Sequence, residues 1–159
     1  NQKARTNSIR YKLSPQSTEI AGKSILLVDD SIVRGNTSRE IIKMIRELGA
    51  KKIYLVSTCP PIKFPCFYGI DIPSADELIA ADKSVEEIAH HLGVDALMYQ
   101  TEPDLIEAVA RQRRRIAKPC LACMDGDYLC SNMTADKMSA HAQQRKIEKN
   151  KHFKEAMPS

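Results

Sequence analysis

The run Ile25-Leu26-Leu27-Val28-Asp29-Asp30-Ser31-Ile32-Val33-Arg34-Gly35-Asn36-Thr37-Ser38 limits the fold more than any other part of the chain. Its four consecutive aliphatic residues read as a strand buried on both faces, as in a parallel sheet covered by helices. Two carboxylates at the end of such a strand, Asp29 and Asp30, point into the crevice where open α/β sheets bind ligands. In the loop that follows, Gly35 permits close backbone approach and Thr37 opens a helix, which suits a phosphate cradled at a helix N-terminus. An acid pair after a strand also occurs where nothing binds, so the pair alone does not decide the matter.

The residues on either side extend the pattern. Thr37-Ser38-Arg39-Glu40 fits a capping box, and Ile41, Ile42, Ile45 and Leu48 then share one helical face, with Gly49 as the stop. A second apolar strand over 53–57 makes a strand-helix-strand unit, which predicts a right-handed crossover between parallel neighbours. The loop after Asp30 therefore belongs at the carboxyl edge of the sheet. Four prolines within 59–74 forbid a helix and predict an ordered, extended surface loop. A short helix is expected over 76–80, another opening at Ser84-Val85-Glu86-Glu87 and closing at Gly93, a third strand over 96–99 and a third substantial helix over 103–114. The charged tail over 136–154 can be helical, with only a weak apolar stripe. The start, with Lys3, Arg5, Arg10 and Lys12 among polar residues, reads as a mobile loop.

With 159 residues the chain can bury one modest core. Its formal net charge of +4 gathers at the two ends and around 111–118. No aromatic residues interleave with those cations, so a stacking platform for single-stranded nucleic acid is not expected; a phosphorylated small molecule suits the N-terminal cluster better. No apolar run is long enough to cross a bilayer and no secretory pattern is evident, so the expectation is a soluble cytoplasmic protein without a membrane partner. A first residue other than methionine, inside a basic segment, reads as a piece of a longer protein. His90, His91, His141 and His152 lack partners at metal-site spacing, and Ser31 has no histidine base near it in sequence, so a hydrolase triad has no support.

Five cysteines, an odd number, argue against a disulfide framework and leave buried thiols or metal ligands. Cys120-Leu121-Ala122-Cys123 can turn two thiolates onto one metal, and Cys66, behind Pro65, could add a third. Cys59 and Cys130 read as ordinary thiols.

Residues 28–37 resemble the PRPP-binding signature of the type I phosphoribosyltransferases, and Asp29-Asp30-Ser31-Ile32-Val33-Arg34-Gly35 is close to the form used by the amidophosphoribosyltransferases. The block Pro60-Pro61-Ile62-Lys63-Phe64-Pro65-Cys66-Phe67-Tyr68-Gly69-Ile70-Asp71, followed by Glu77-Leu78-Ile79-Ala80, resembles that family specifically. The likeness runs from about Arg5 to Tyr128 and is to the C-terminal part of the glutamine-dependent family members. It implies an α/β fold, a partial type I phosphoribosyltransferase domain with a parallel sheet flanked by helices, then a cysteine-containing loop and a helical tail. The implied divisions are a PRPP-closing loop over 1–17, the transferase part over 18–115 and a cluster-binding and tail segment over 116–159.

The activity implied is transfer of glutamine-derived ammonia to PRPP, giving 5-phosphoribosylamine and pyrophosphate in the first committed step of purine synthesis. Asp29 and Asp30 would be catalytic and would meet the ribose hydroxyls, directly or through Mg2+. Ser31, Ile32, Val33, Arg34, Gly35, Asn36 and Thr37 would form the rest of the PRPP loop, with Arg10 and Lys12 as pyrophosphate contacts. Asn36 stands where threonine is commoner but keeps a side-chain donor. In the iron-sulfur class a Pro-Cys-Phe loop and a Cys-x-x-Cys followed by Gly-x-Tyr hold a 4Fe-4S cluster; Cys66, Cys120 and Cys123, with Gly126 and Tyr128, match. That class takes its fourth ligand from further upstream. Purine nucleotides as inhibitors and a homo-oligomer are also implied. Because the family's glutaminase domain and first transferase strands do not correspond to any residue here, the chain alone is expected to bind PRPP weakly and not to catalyse. Two other readings stay open: a non-catalytic PRPP- or nucleotide-binding regulatory module, which leaves the proline block and CxxC unexplained, and a small zinc-binding interaction module, which leaves the loop unexplained.

Overall fold

The protein is described from a computed structural model covering residues 15–70, 72, 74–112 and 119–130, with scattered positions between 136 and 147. Three parallel strands, β1 (Ser24–Asp29), β2 (Lys52–Ser57) and β3 (Ala96–Tyr99), form one sheet in the order β1-β2-β3. Leu27 pairs with Leu55, and Leu55 with Leu97, so the inward rows of the three strands align. A short helix α1 (Ser17–Ile20), not anticipated from the sequence, precedes β1.

Helices α2 (Asn36–Glu47) and α3 (Val85–Leu92) bury Ile42, Ile45, Ile88 and Leu92 against Ile53 and Leu55 of β2. Ile25, Leu27 and Leu97 pack on the same core. Each fully buried aliphatic side chain in such a layer is worth about 1.5–3 kcal/mol. The expectation that the first strand is buried on both faces is corrected: Leu26 and Val28 are 61% and 64% exposed, and Tyr54 and Met98 on the neighbouring strands are exposed with them. The described helices supply core residues only to the alternate row, and pleating turns successive side chains to opposite faces.

The far end of the sheet is tied by Asp95. Its carboxylate accepts from Ile53 N and Lys52 Nζ, each at 2.8 Å, and from the Arg46 guanidinium. These contacts join the last turn of α2 to β2 and the entry to β3. Lys52 first, then the Ile53 amide and Arg46, hold the Asp95 carboxyl well below the usual carboxylate range.

Helix α3 forms where expected. The Ser84 hydroxyl accepts from Glu87 N at 3.2 Å while the Glu87 carboxylate accepts from Ser84 N at 2.7 Å, and Gly93 closes the helix at φ +81°. The expected capping box at 37–40 does not form. Gly35, at φ +73°, takes the N-cap of α2 without a side-chain bond, so the first helical amides are left for the loop in front of them. The expected helix over 76–80 is also cut short: after a 3-10 turn, Ala75–Glu77, the Ile79 amide donates to Val33 O at 3.0 Å instead of to its own helix. Helix α4 (Glu102–Gln112) forms where the third helix was expected and starts one residue earlier; residues 113 and 114 of the expected span lie outside the described residues.

The proline-rich segment is extended, as anticipated, but it is not simply surface. Ile62, Cys66, Ile72 and Leu78 form a second core, with Val33, Cys59 and Cys123 packed against it. Extended backbone lets spaced residues of the segment turn inward, and its amides find an outside partner: Lys63 N and Phe64 N both donate to Cys123 O, at 2.9 and 3.0 Å. That carbonyl belongs to helix α5 (Ala122–Asp125), a second short helix the sequence reading missed. Among the described tail positions, 136, 137, 139, 140, 143, 144 and 147 are helical.

Candidate functional site

At the carboxyl end of β1 a cavity of about 340 Å³ is lined by residues 29–31 and 33–38. Residues adjacent in sequence thus surround one space, because the strand delivers the two acids and Gly35 turns the chain directly into α2. Asp29 is fixed on both oxygens: Oδ1 accepts from Asp30 N at 3.0 Å and Oδ2 from Ser38 Oγ at 3.4 Å. Asp30 is exposed, accepts from Ser31 Oγ at 3.4 Å, and its carbonyl accepts from Thr58 Oγ1 at 3.4 Å. The carboxylates have only neutral donors around them in these contacts and can accept further hydrogen bonds or a hard cation.

Gly35 does two things that no other residue can do there. Its φ of +73° lies in the left-handed region, and a Cβ would come within 2.8 Å of Ile79 Cδ1 and 2.9 Å of Leu92 Cδ2. The loop can therefore lie flat on the first core. Ile32, expected in the binding loop, does not line the cavity; its side chain is 1% exposed within that core. Arg34 reaches the other way. Its Nε donates to Glu77 Oε2 at 2.9 Å, and the side chain lies between this cavity and an adjacent one of about 320 Å³.

Sequence reasoning missed Ser38 and Glu77. Ser38 is buried on the first turn of α2, where its hydroxyl spacing from Asp29 has no local signature. Glu77 lies 43 residues from its arginine, and only the fold brings them together. Arg10 and Lys12, expected at pyrophosphate, lie outside the described residues.

Cys59, Cys66 and Cys123 gather at the second core, while Cys120 and Cys130 are exposed. Cys66 is buried and its Sγ accepts from Tyr68 N at 3.3 Å; Cys123 packs against the same core, with Cys66 and Cys120 as its neighbours. Burial, then those neighbours, push the Cys123 thiol up; burial, then Cys123 and Asp30, push Cys59 up. Gly126 and Tyr128 have structural roles: a Cβ on Gly126 would meet the Phe64 ring at 3.1 Å, and Tyr128 Oη donates to Pro65 O at 2.7 Å. The soft donors suit iron-sulfur or zinc. Among the described residues, however, no three histidine, cysteine or acidic side chains are arranged to hold a metal ion. Also among them, no helix is long and apolar enough to cross a membrane.

A parallel three-stranded sheet with flanking helices, ending in an acid pair and a glycine-turned loop at a helix N-terminus, defines an α/β module with its ligand crevice at the carboxyl edge of the sheet. No protein-family model matches the chain. Curated amidophosphoribosyltransferases do: that of Escherichia coli is 47% identical over 132 residues, covering 83% of this chain and 26% of its own. The Pasteurella multocida protein is 42% identical over 156 residues, covering 98% and 31%. The solved glutamine phosphoribosylpyrophosphate amidotransferase from B. subtilis, complexed with ADP and GMP, superposes with a TM-score of 0.64 at 40% identity, covering 74% of this chain and 27% of that one. The chain belongs to the amidophosphoribosyltransferase family, and it spans about a quarter to a third of the length of these relatives.

Proposed function

We propose that this chain carries the PRPP-binding half of an amidophosphoribosyltransferase active site. The whole enzyme would be a pentosyltransferase that moves glutamine-derived ammonia onto C1 of PRPP, giving 5-phosphoribosylamine, pyrophosphate and glutamate at the start of purine synthesis. The observation that carries this reading is the cavity at the end of β1, where Asp29 and Asp30 stand at one side and the first turn of α2 at the other.

Each part has a role suited to its chemistry. The amides after Ser31 and the hydroxyls of Ser31 and Thr37 bind the 5-phosphate, helped by the dipole of a twelve-residue helix. Asn36 adds an amide donor, and Val33 and Gly35 shape the loop. Asp29 and Asp30 accept the ribose hydroxyls and, as anions, favour positive charge developing at C1 and the ring oxygen. Ser38 keeps Asp29 in place. Bound Mg2+ would offset the charge of the pyrophosphate, and Asp29 and Asp30 are the oxygen donors that fit it. Arg10 and Lys12 complete the anion contacts in this reading.

Cys66, Cys120 and Cys123 would ligate a 4Fe-4S cluster with a further ligand from the rest of the enzyme, as structural support for the second core; their soft donor set fits, while their described arrangement is not closed. Purine nucleotides acting as inhibitors, a homo-oligomer and a cytoplasmic setting complete the reading, which rests on similarity to the relatives above.

Titration of the full-length enzyme with Mg2+-PRPP tests it. The Asp29→Asn/Asp30→Asn double variant should lose PRPP-dependent synthesis while glutamine hydrolysis persists. Full transferase activity in that variant would remove the role assigned to both acids.

A further inference from the structure

We propose that Glu77 is a positioning residue for the phosphate-binding loop: it holds Arg34 so that the loop meets its anion in one prepared arrangement. The proposal rests on the PRPP reading of that loop. Three consecutive loop residues are pinned by the segment that follows the proline block. Val33 O accepts from Ile79 N at 3.0 Å, Arg34 Nε donates to Glu77 Oε2 at 2.9 Å, and Gly35 lies under Ile79 and Leu92. The second Glu77 oxygen lies 3.5 Å from Ser74 Oγ, so the carboxylate is itself oriented.

The pair is a poor device for stability. With the two side chains 45% and 26% exposed, solvent screens most of its Coulomb energy. What it does is select one place for a long side chain at the rim of the phosphate cavity. Engagement through Nε leaves both Nη groups as donors with the fork geometry that suits phosphate oxygens. The entropy of ordering Arg34 is then lost on folding and not again on binding. An opposing effect exists: the Glu77 charge repels an anion, so its removal would by itself tighten binding. Positioning must outweigh that repulsion, which makes the sign of the effect diagnostic.

The full-length chain is titrated calorimetrically with Mg2+-PRPP at constant ionic strength, as wild type and as Glu77→Gln, Glu77→Asp, Arg34→Gln and the Arg34→Gln/Glu77→Gln pair. Glu77→Gln should bind about tenfold more weakly, a coupling of the size that contacting residues reach. Glu77→Asp should recover part of the loss, and Glu77→Gln should cost nothing further once Arg34 is gone. Binding as tight as wild type, tighter binding, or additive losses in the pair would each overturn the proposal. Amide exchange without ligand is the second arm: residues 34–37 should exchange several-fold faster in Glu77→Gln, and unchanged exchange overturns the pinning. A wild-type chain that fails to bind PRPP sinks the reading of the loop, while the exchange arm still decides the role of Glu77.

Discussion

Gly35 and Gly22 make a controlled comparison, because both lie near φ +70° but only one is crowded. At Gly22, φ +71°, a Cβ would meet nothing within 4 Å, whereas at Gly35, φ +73°, it would stand 2.8 Å from Ile79 Cδ1 and 2.9 Å from Leu92 Cδ2. Alanine at either site incurs the left-handed strain of about 1–2 kcal/mol. At Gly35 an overpacking cost of about 1–3 kcal/mol is added. The lower part of that range applies, because the struck atoms are side-chain ends, although both residues are buried in the first core and cannot swing into solvent. Gly35→Ala should therefore lower unfolding free energy by about 2–4 kcal/mol, and Gly22→Ala by about 1–2 kcal/mol. Urea denaturation followed by far-UV circular dichroism gives both values, with PRPP titration alongside. Only Gly35→Ala should also weaken ligand binding, because relief of the clash lifts the loop off the core. Equal losses for the two variants would refute the close-approach argument, and a Gly35→Ala protein with unaltered binding would refute the claim that loop height sets the cavity.

Two further outcomes follow from contacts elsewhere. Asp95 has a folded pKa depressed below its unfolded value, so its contribution to stability is present above about pH 4 and is lost as pH falls from there toward the folded value. Asp95→Asn should lower Tm at neutral pH and flatten the acid limb of a Tm profile taken from pH 7 down to pH 2; parallel acid limbs would count against the network. Tyr128→Phe keeps the ring, tilted against Phe67 at 5.1 Å between centroids, but removes the hydroxyl donor to Pro65 O. It should cost about 1 kcal/mol in chemical denaturation, and no loss would mean that water replaces the hydroxyl.

How far the sequence carried depended on how far each residue had to look for its partner. Helix α3 was legible because Ser84, Glu87 and Gly93 make their bonds within the helix they delimit. The equally good string at 37–40 misled, since Gly35 takes the cap and Ser38 turns to Asp29, nine residues back. The apolar residues 78–80 read as helix but are held by Val33 and the two cores, partners that a local pattern cannot reveal. Hydrophobicity marked Leu26 and Val28 as strand residues without saying which layer, if any, would cover them. The acid pair and its loop were legible as an unbroken string. Glu77 was not, because a lone acid before an apolar run carries no sign of an arginine 43 residues away.

The position of the loop between two cores bears on how the site works. Ile32 enters the core formed with α2, α3 and the sheet, while the next residue, Val33, packs on the core that holds Cys66 and Cys123. Consecutive side chains anchored in different cores leave the backbone between Asp30 and Gly35 little freedom, since either core can shift only by dragging that backbone with it. A surface loop of this length would ordinarily be mobile and would lose binding energy to its own ordering. Here apolar burial on both sides, the Ile79 amide and the Arg34–Glu77 pair hold the backbone that lines the cavity at Asp29. The proline-rich block and the cysteine segment, which look remote from the acid pair in sequence, are therefore part of what shapes it. A disturbance at the thiols should be felt at the loop over 31–35 through Val33, and one at the sheet core through Ile32.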